Sequence, residues 1–354
     1  MPAVDRAVQV AHVRYGDSPD VAGQRDILMR TCRASLERFY LPESGLFARS
    51  AIWDGAAWTR TEPSPGNTAN VALALYQLRR HGMATPFDPD PMMWRLIVDH
   101  CRGLDYTGIA FLLWADSIGD RRYGTVLWKT LLERLPASAS QSMQLGWTLS
   151  ALCRYGPVAT DTGAATRMAY ELYRRIAANQ SAKSGLFYAS GAREGWCRRR
   201  KPVTTLSSQT YPIHALASYG RVFGVTDAID RATRCATAIC RRQGPQGQWW
   251  WRYDVESGTV VEPYPVYSVN QDTAVPMALG ELQRARGGRR DDTAVNRGLG
   301  WLFGQNELGQ SLVDEQAGVI WRAIQPRETG FEVVREMHSY HPARCLYALC
   351  TKPL

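Results

Sequence analysis

The feature that most constrains this chain is a strict alternation of two kinds of helical segment along its length. The first kind is amphipathic and charged. Residues 21–40 set the pattern: Ile27, Leu28, Cys32, Leu36 and Phe39 fall near helical spacing, with Arg25, Arg30, Arg33, Glu37 and Arg38 between them. Segments 91–102, 120–135, 162–179, 226–242 and 291–303 repeat it. A helix with one apolar stripe and one charged face packs on one side, so these belong on the outside. The second kind is more apolar and often carries small residues: 67–78, 105–115, 141–152, 207–219, 271–282 and 338–350. Lacking a wide charged face, such helices must be buried. Roughly six of each, in alternation, predict an all-α fold. It is an (α/α)6 barrel, or toroid, with parallel inner helices inside an outer ring. Little or no β-sheet is expected.

The 354 residues, 45% of them hydrophobic and 21% charged, can bury a large core. No Pro/Gly/Ser-rich linker interrupts them, so one toroid domain over 1–354 is expected. No apolar run reaches the ~18 residues of a membrane span. Residues 1–13 lack the basic-then-apolar order of a secretory signal, which makes a cytoplasmic protein the default. The eight cysteines are scattered without a CxxC pair and read as reduced core thiols. The net charge of +9 is spread along the chain, apart from the run at 198–201, Arg-Arg-Arg-Lys. No nucleic-acid-binding signature accompanies it, so no nucleic-acid partner is expected. Contact with an anionic membrane surface stays compatible with such a charge. Oligomeric state is not legible.

Each inner segment opens on polar residues: Asn67 and Asn70; Asp105 and Tyr106; Gln141 and Gln144; Gln209 and Tyr211; Asn270, Gln271 and Asp272; His338, Tyr340 and His341. In a toroid all six starts face one mouth of the cavity, where the active site is expected. Helix capping explains any one of them as well; six converging on one cavity are harder to explain that way. An internal repeat supports the fold. Ser44-Gly45-Leu46-Phe47 recurs as Ser184-Gly185-Leu186-Phe187, each after an outer segment. Equivalent places hold Gln243, Gly247 and Trp249, and then Gln305, Gly309 and Ser311. Glycine there would end a helix through a left-handed residue, with the following aromatic packed back on it.

The spacing Gln243-x-x-x-Gly247-x-Trp249 resembles the QW motif of squalene cyclases and related terpenoid cyclases, with degenerate copies at 180–187 and 305–311. Asn270-Gln271-Asp272-Thr273-Ala274 is similar to the acidic motif of class II terpene cyclases, with Asn in the first position. A rival match at 290–294 opens an amphipathic helix and reads as a cap. In size the chain is similar to single-domain class II meroterpenoid cyclases. The resemblance implies metal-free, cofactor-free protonation of an isoprenoid alkene or epoxide, followed by carbocation cyclisation on a hydrophobic substrate. The text around Tyr211-Pro212, Tyr264-Pro265 and Ser339-Tyr340-His341 also resembles bacterial toroid proteins found with polysaccharide genes, which implies sugar chemistry instead.

Two chemistries therefore stay open, beside a third possibility, a binding module without catalysis. Alkene protonation needs a neutral acid in a dry site, and Asp272 and Asp105 each open an apolar inner segment. His338 and His341 could orient or replace that acid. Trp114, Trp147, Tyr211, Tyr267 and Tyr340 offer π faces to a cation, and Gln144, Gln209, Asn270 and Gln271 offer polar contacts. A carbohydrate-active toroid, whether hydrolase, lyase or epimerase, would use the same aromatics, with either the two carboxyls or the tyrosines and histidines. No DDxxD run is present, so metal-dependent diphosphate ionisation is not expected. Neither the Asp99-His100-Cys101 spacing nor the histidine pair reads as a metal site.

Overall fold

The computed structural model describes residues 20–190, 202–287 and 292–351. The chain forms α1 (Val21–Phe39), α2 (Pro65–Arg80), α3 (Pro89–Arg95), α4 (Tyr106–Ile118), α5 (Gly124–Arg134) and α6 (Ser142–Tyr155). There follow α7 (Thr162–Ala178), α8 (Ser207–Phe223), α9 (Thr226–Cys240), α10 (Val275–Arg286), α11 (Thr293–Leu302) and α12 (Tyr340–Thr351). Even-numbered helices are the inner ones. Every residue of α4 from Tyr106 to Asp116 is buried, whereas α7 buries only Ala165, Ala169, Leu172 and Ile176, a single stripe. Consecutive inner helices pack on one another from α2 to α10, and α12 packs on α2 and on the turn before α10, closing the ring. The fold is an all-α toroid of alternating outer and inner helices.

Asp and Ser caps start several of these helices. Asp20 accepts from the Gly23 amide, Ser64 from Asn67, Asp105 from Gly108 and Asp161 from Ala164. Such caps satisfy amides that the first helical turn leaves unbonded. Close helix approach is set by Gly146 of α6. A Cβ there would lie 2.9 Å from the carbonyl carbon of Tyr211, so only glycine lets α8 come this near.

The glycine repeat is a clamp between successive outer helices. Gln180 Nε2 donates to the Gly185 carbonyl and to the Arg231 carbonyl of α9, both at 2.9 Å. Gln243 Nε2 donates to the Gly247 carbonyl at 2.9 Å and to Ala294 of α11 at 2.8 Å. Gly45, Gly185, Gly247 and Gly309 all have positive φ, between 62° and 97°. The backbone turns back there in a conformation that costs other residues. Phe187 and Trp249 then drop into the core, both fully buried.

The expectation of little or no sheet needs correction at the rim. Among the described residues, five small sheets of two or three short strands stand in the connections, while the core is helical. Segments such as Ser50–Trp53, Ala323–Pro326 and Phe331–Val334 combine β-branched or aromatic residues with nearby turn glycines. They are antiparallel, and Ser50–Trp53 and Ala323–Pro326 pair with the short strands that carry His338 and Tyr267. The seven described cysteines are free thiols; Cys197 lies outside the described residues.

Candidate active site

The chain enters α10 through a π turn, Asn270–Ala274. Pro276, just beyond it, has no amide hydrogen, and in a regular helix its ring would press on the carbonyl of Asp272. The wider turn, closed by the Val275 amide on the Asn270 carbonyl, relieves that clash. It also carries Asn270, Gln271 and Asp272, all buried. Asp272 meets His341 from the first turn of α12: His341 Nε2 lies 2.8 Å from Oδ2 and 3.0 Å from Oδ1. The Thr273 hydroxyl donates to Oδ1 at 2.7 Å. A carboxylate only accepts, so His341 Nε2 donates to Asp272, and Nδ1 is the ring nitrogen not engaged in that contact.

His341 opens on a cavity of about 240 Å³ at the mouth, bounded also by Trp251, Tyr267, Arg322, His338 and Tyr340. The rim strands place these groups. Val266–Tyr267 pairs with Ala323–Pro326, which sets the Arg322 guanidinium 5.6 Å from the Tyr267 ring. Arg322 also pairs with Glu336. The strand Glu336–His338 pairs with Ser50–Trp53, and His338 stacks on Tyr340 at 5.4 Å. Burial, helped by the nearby Arg322, pushes His338 down to about 4. Its 3.5 Å approach to Glu336 is therefore a contact of a neutral ring and not an ion pair at neutral pH. Burial pushes the Tyr340 hydroxyl up, so it keeps its proton.

Behind Tyr340 lies Arg344. Its guanidinium sits 4.7 Å from the ring of Tyr340, 4.9 Å from Trp147, 5.5 Å from Tyr211 and 5.6 Å from Phe111. It donates to Asn70 Oδ1 at 2.9 Å and to the Tyr211 hydroxyl at 2.7 Å. Residues from early turns of α2, α4, α6, α8 and α12 thus meet around one cation. The parallel inner ring expected from the sequence accounts for that meeting. Among the described residues no carboxylate lies within ion-pairing distance of Arg344.

Of the residues singled out in the sequence, the structure brings His341, His338, Tyr340 and Tyr267 to the cavity, Asp272 against His341 behind it, and Trp147 and Tyr211 to the cage around Arg344. Asn270 and Gln271 lie beside Asp272 in the π turn; neither amide atom of Asn270 has a partner in the protein, nor has Gln271 Oε1. The rest lie elsewhere. Asp105 is exposed and caps α4 through Thr107 and Gly108, as its place at a helix start allows. Gln144 accepts from the Tyr106 hydroxyl at 2.8 Å, outside the cavity lining. Gln209 is fully buried, and both ends of its amide fasten the Phe187 backbone, so it builds the repeat turn. Trp114 packs on His214 and Tyr347 in the later turns of the inner helices. Sequence reasoning missed Arg344 and Arg322, and it listed Trp251 only among the chain's many aromatics. Arg344 carried a signal, since it is the lone lysine or arginine in an otherwise apolar inner helix. The run at 198–201 and the match at 290–294 are not fully within the described residues.

No protein-family model matches the sequence, and no curated relative is found for it. Solved structures do share its fold. A possible member of the GH105 family from Klebsiella pneumoniae superposes with a TM-score of 0.62 at 11% identity, covering 98% of each chain. An unsaturated glucuronyl hydrolase from Streptococcus agalactiae gives 0.61 at 12% identity, over 96% of this chain and 92% of that one. A sugar epimerase from a ruminal bacterium gives 0.64 at 10% identity, over 94% and 99%.

These neighbours, and the site itself, overturn the reading as a class II terpene cyclase with a hydrophobic isoprenoid substrate. The toroid resemblance holds at the level of fold, but these toroids are carbohydrate enzymes. Asp272 is not a lone acid in a dry pocket, because it is bound to an imidazole. The Arg322 guanidinium at the cavity wall would repel a carbocation, and an imidazole is a nucleophile that would quench one. The expectation of membrane contact finds no support either. Among the described residues no helix is long and apolar enough to cross a membrane.

Proposed function

We propose that this chain is a carbohydrate-active enzyme that moves a proton at a sugar carbon next to a carbonyl or carboxyl group, as an epimerase or lyase does. The observation that carries the reading is that His341, held by Asp272, opens on a cavity with aromatic walls and Arg322, and that no carboxylate lines it among the described residues. Hydrolysis by two carboxyls needs a second acid across the scissile bond. Asp272 is already engaged with His341, and Asp105 is an exposed cap. Proton abstraction needs only an oriented base and a stabilised oxyanion, and the residues present suffice.

In this reading His341 Nδ1 takes the proton from carbon, and Asp272 holds the ring and stabilises the imidazolium. The electron pair moves onto the adjacent oxygen, where Arg322 offsets the new charge. The Tyr340 hydroxyl then supplies a proton to carbon, which inverts the centre, or to a departing β-oxygen, which gives an alkene. Trp251 and Tyr267, 5.0 Å apart, provide faces for the sugar ring. A sugar bearing an acid group suits Arg322 and Arg344 best. A variant of the Streptococcus agalactiae hydrolase is described in complex with dGlcA-GalNAc6S, which supports the same class.

The test is incubation with a panel of reducing disaccharides and oligouronates in D2O. Deuterium should enter at one carbon next to the carbonyl or carboxyl group, and the exchange should vanish in His341→Gln. Glycosidic cleavage without any exchange would overturn the proposal.

A further inference from the structure

Away from the mouth, the hairpin around Gly258 folds back over the Gln180 clamp and encloses a concavity of about 420 Å³ on the outer surface. Lys183, Arg234, Arg241 and Arg242 line it, together with Ser184, Thr233, Thr237 and Ser257, and none of its lining residues is acidic. Arg234 has a structural partner, because Nη2 donates to Gln180 Oε1 at 3.3 Å. The other clamps use their arginine in the same way. Arg95 donates to the Ser44 carbonyl, and Arg297 to the carbonyls of Gly244 and Pro245. Lys183, Arg241 and Arg242 are therefore surplus to what the clamp needs. None of the three is ion-paired with a carboxylate among the described residues.

The two carboxylates of the neighbouring hairpin have partners of their own. Asp254, 4% exposed, accepts from the amides of Glu256 and Ser257 and so closes its own turn. Glu256 accepts from the Tyr188 hydroxyl. The walls are fixed as well: the Ser184 hydroxyl donates to the Val255 carbonyl, and the Gly258 amide to the Asp254 carbonyl at 2.8 Å. Gly258 has φ +69°, and a Cβ on it would lie 3.4 Å from Ser184 Cβ and 3.7 Å from Arg242 Nη2. Such a Cβ would make ordinary van der Waals contact with the wall. Lys183, Arg241 and Arg242 therefore add uncompensated positive charge to the lining of a hydroxyl-bearing hollow, which favours an anion there.

We infer that this concavity is a binding site for a tetrahedral oxyanion, phosphate or sulfate, distinct from the catalytic cavity. Three cationic residues lining one hollow match a group with up to two negative charges and several acceptor oxygens better than a single carboxylate. Such a group arrives either as the free ion or as an ester on a sugar polymer, and the latter would give the enzyme a second hold on an anionic chain.

The experiment is calorimetric titration at low salt with inorganic phosphate, inorganic sulfate and a heparin hexasaccharide. It compares the wild-type chain with Arg241→Ala/Arg242→Ala and with Arg322→Gln. Binding should weaken at least tenfold in the double variant, with its thermal midpoint unchanged, and persist in Arg322→Gln. Lys183→Ala, on an exposed turn, gives the same reading should the double variant lose its fold. A hexasaccharide that binds at least tenfold tighter than sulfate and competes with it identifies a polymer ester; equal affinities identify the free ion. Affinity unchanged in the double variant, affinity lost in Arg322→Gln instead, or no binding of any probe would overturn the site. None of these outcomes depends on whether the catalytic cavity transfers protons.

Discussion

His341 Nε2 reaches both oxygens of Asp272, at 2.8 and 3.0 Å, although the two residues stand 69 positions apart in the chain. The pairing spans the seam where the ring closes, since α12 meets the turn before α10 there. Neither residue could do this alone. The π turn puts the carboxylate in place, and the first turn of α12 brings the imidazole to it.

Asp272→Asn tests the pair directly. An amide can donate to Nε2 and so favour the wrong tautomer, leaving Nδ1 protonated and unable to act as base. Turnover of whichever sugar exchanges deuterium should fall about 10²–10⁴-fold, the usual worth of general base catalysis, with KM little changed. A rise in KM at full kcat would mean that Asp272 only shapes the pocket.

Arg344→Lys separates charge from geometry. The ammonium keeps its attraction to the four rings, but it cannot reach Asn70 and Tyr211 with a planar fork. We expect KM for an acidic sugar to rise roughly tenfold, about 1.4 kcal/mol, with the thermal midpoint nearly intact. Arg344→Met should instead lower the midpoint, because the cage loses its cation and two buried acceptors lose their donor. Equal kinetics for all three proteins would remove Arg344 from substrate binding.

Much of this fold was legible because burial writes a period into the sequence. The stripe Ala165, Ala169, Leu172, Ile176 announces an outer helix, and the unbroken apolar text from Tyr106 to Trp114 an inner one. The left-handed glycines were legible for the same kind of reason, since Gly185 and Gly247 follow a helix and precede a buried aromatic. The chemistry was harder to read. A polar residue at an inner helix start looks alike whether it caps, as Asp105 does, or faces the cavity, as His341 does. Gln209 looks like a mouth residue until its amide is seen fastening Phe187. The rim strands that follow Arg322 and carry His338 are too short to show a period. Local pattern fixes which face is buried; it does not say which distant side chain meets which.

The clamps make a graded prediction. Gly247→Ala forces a side chain onto φ +97° and drives a Cβ into the Arg297 carbonyl of α11. Gly185→Ala meets the Arg234 carbonyl at 3.3 Å, which a small shift can absorb. Left-handed strain alone costs roughly 1–2 kcal/mol, so Gly185→Ala should lose about that much and Gly247→Ala clearly more. Urea unfolding of the two variants side by side measures the difference. Equal losses would show that the contact with the next outer helix does not matter.

Acid should weaken this fold through two histidines. Burial pushes His214 down to about 4, where Ser150 Oγ meets its Nδ1 at 2.9 Å, and His338 is likewise held at about 4. Both stay neutral in the folded chain, yet regain an ordinary value near 6.5 on unfolding. The unfolded chain therefore binds more protons between about pH 6.5 and 4, and stability rises with pH across that window. It is fully present above pH 6.5 and lost progressively as pH falls toward 4. Each histidine contributes a slope of at most about 1.4 kcal/mol per pH unit, with His338 giving less because its ring is 22% exposed. Glu281, held at about 2 by His214, Arg284 and Arg221 against the cost of burial, adds a loss of the same sign only at pH values below its ordinary 4.5. Urea unfolding at pH steps from 7.5 to 5 isolates the histidines. His214→Gln should flatten that slope by up to one proton, and His214→Gln/His338→Gln should flatten most of it. A wild-type stability that does not change between pH 7.5 and 5 would show that neither ring is held neutral by the fold.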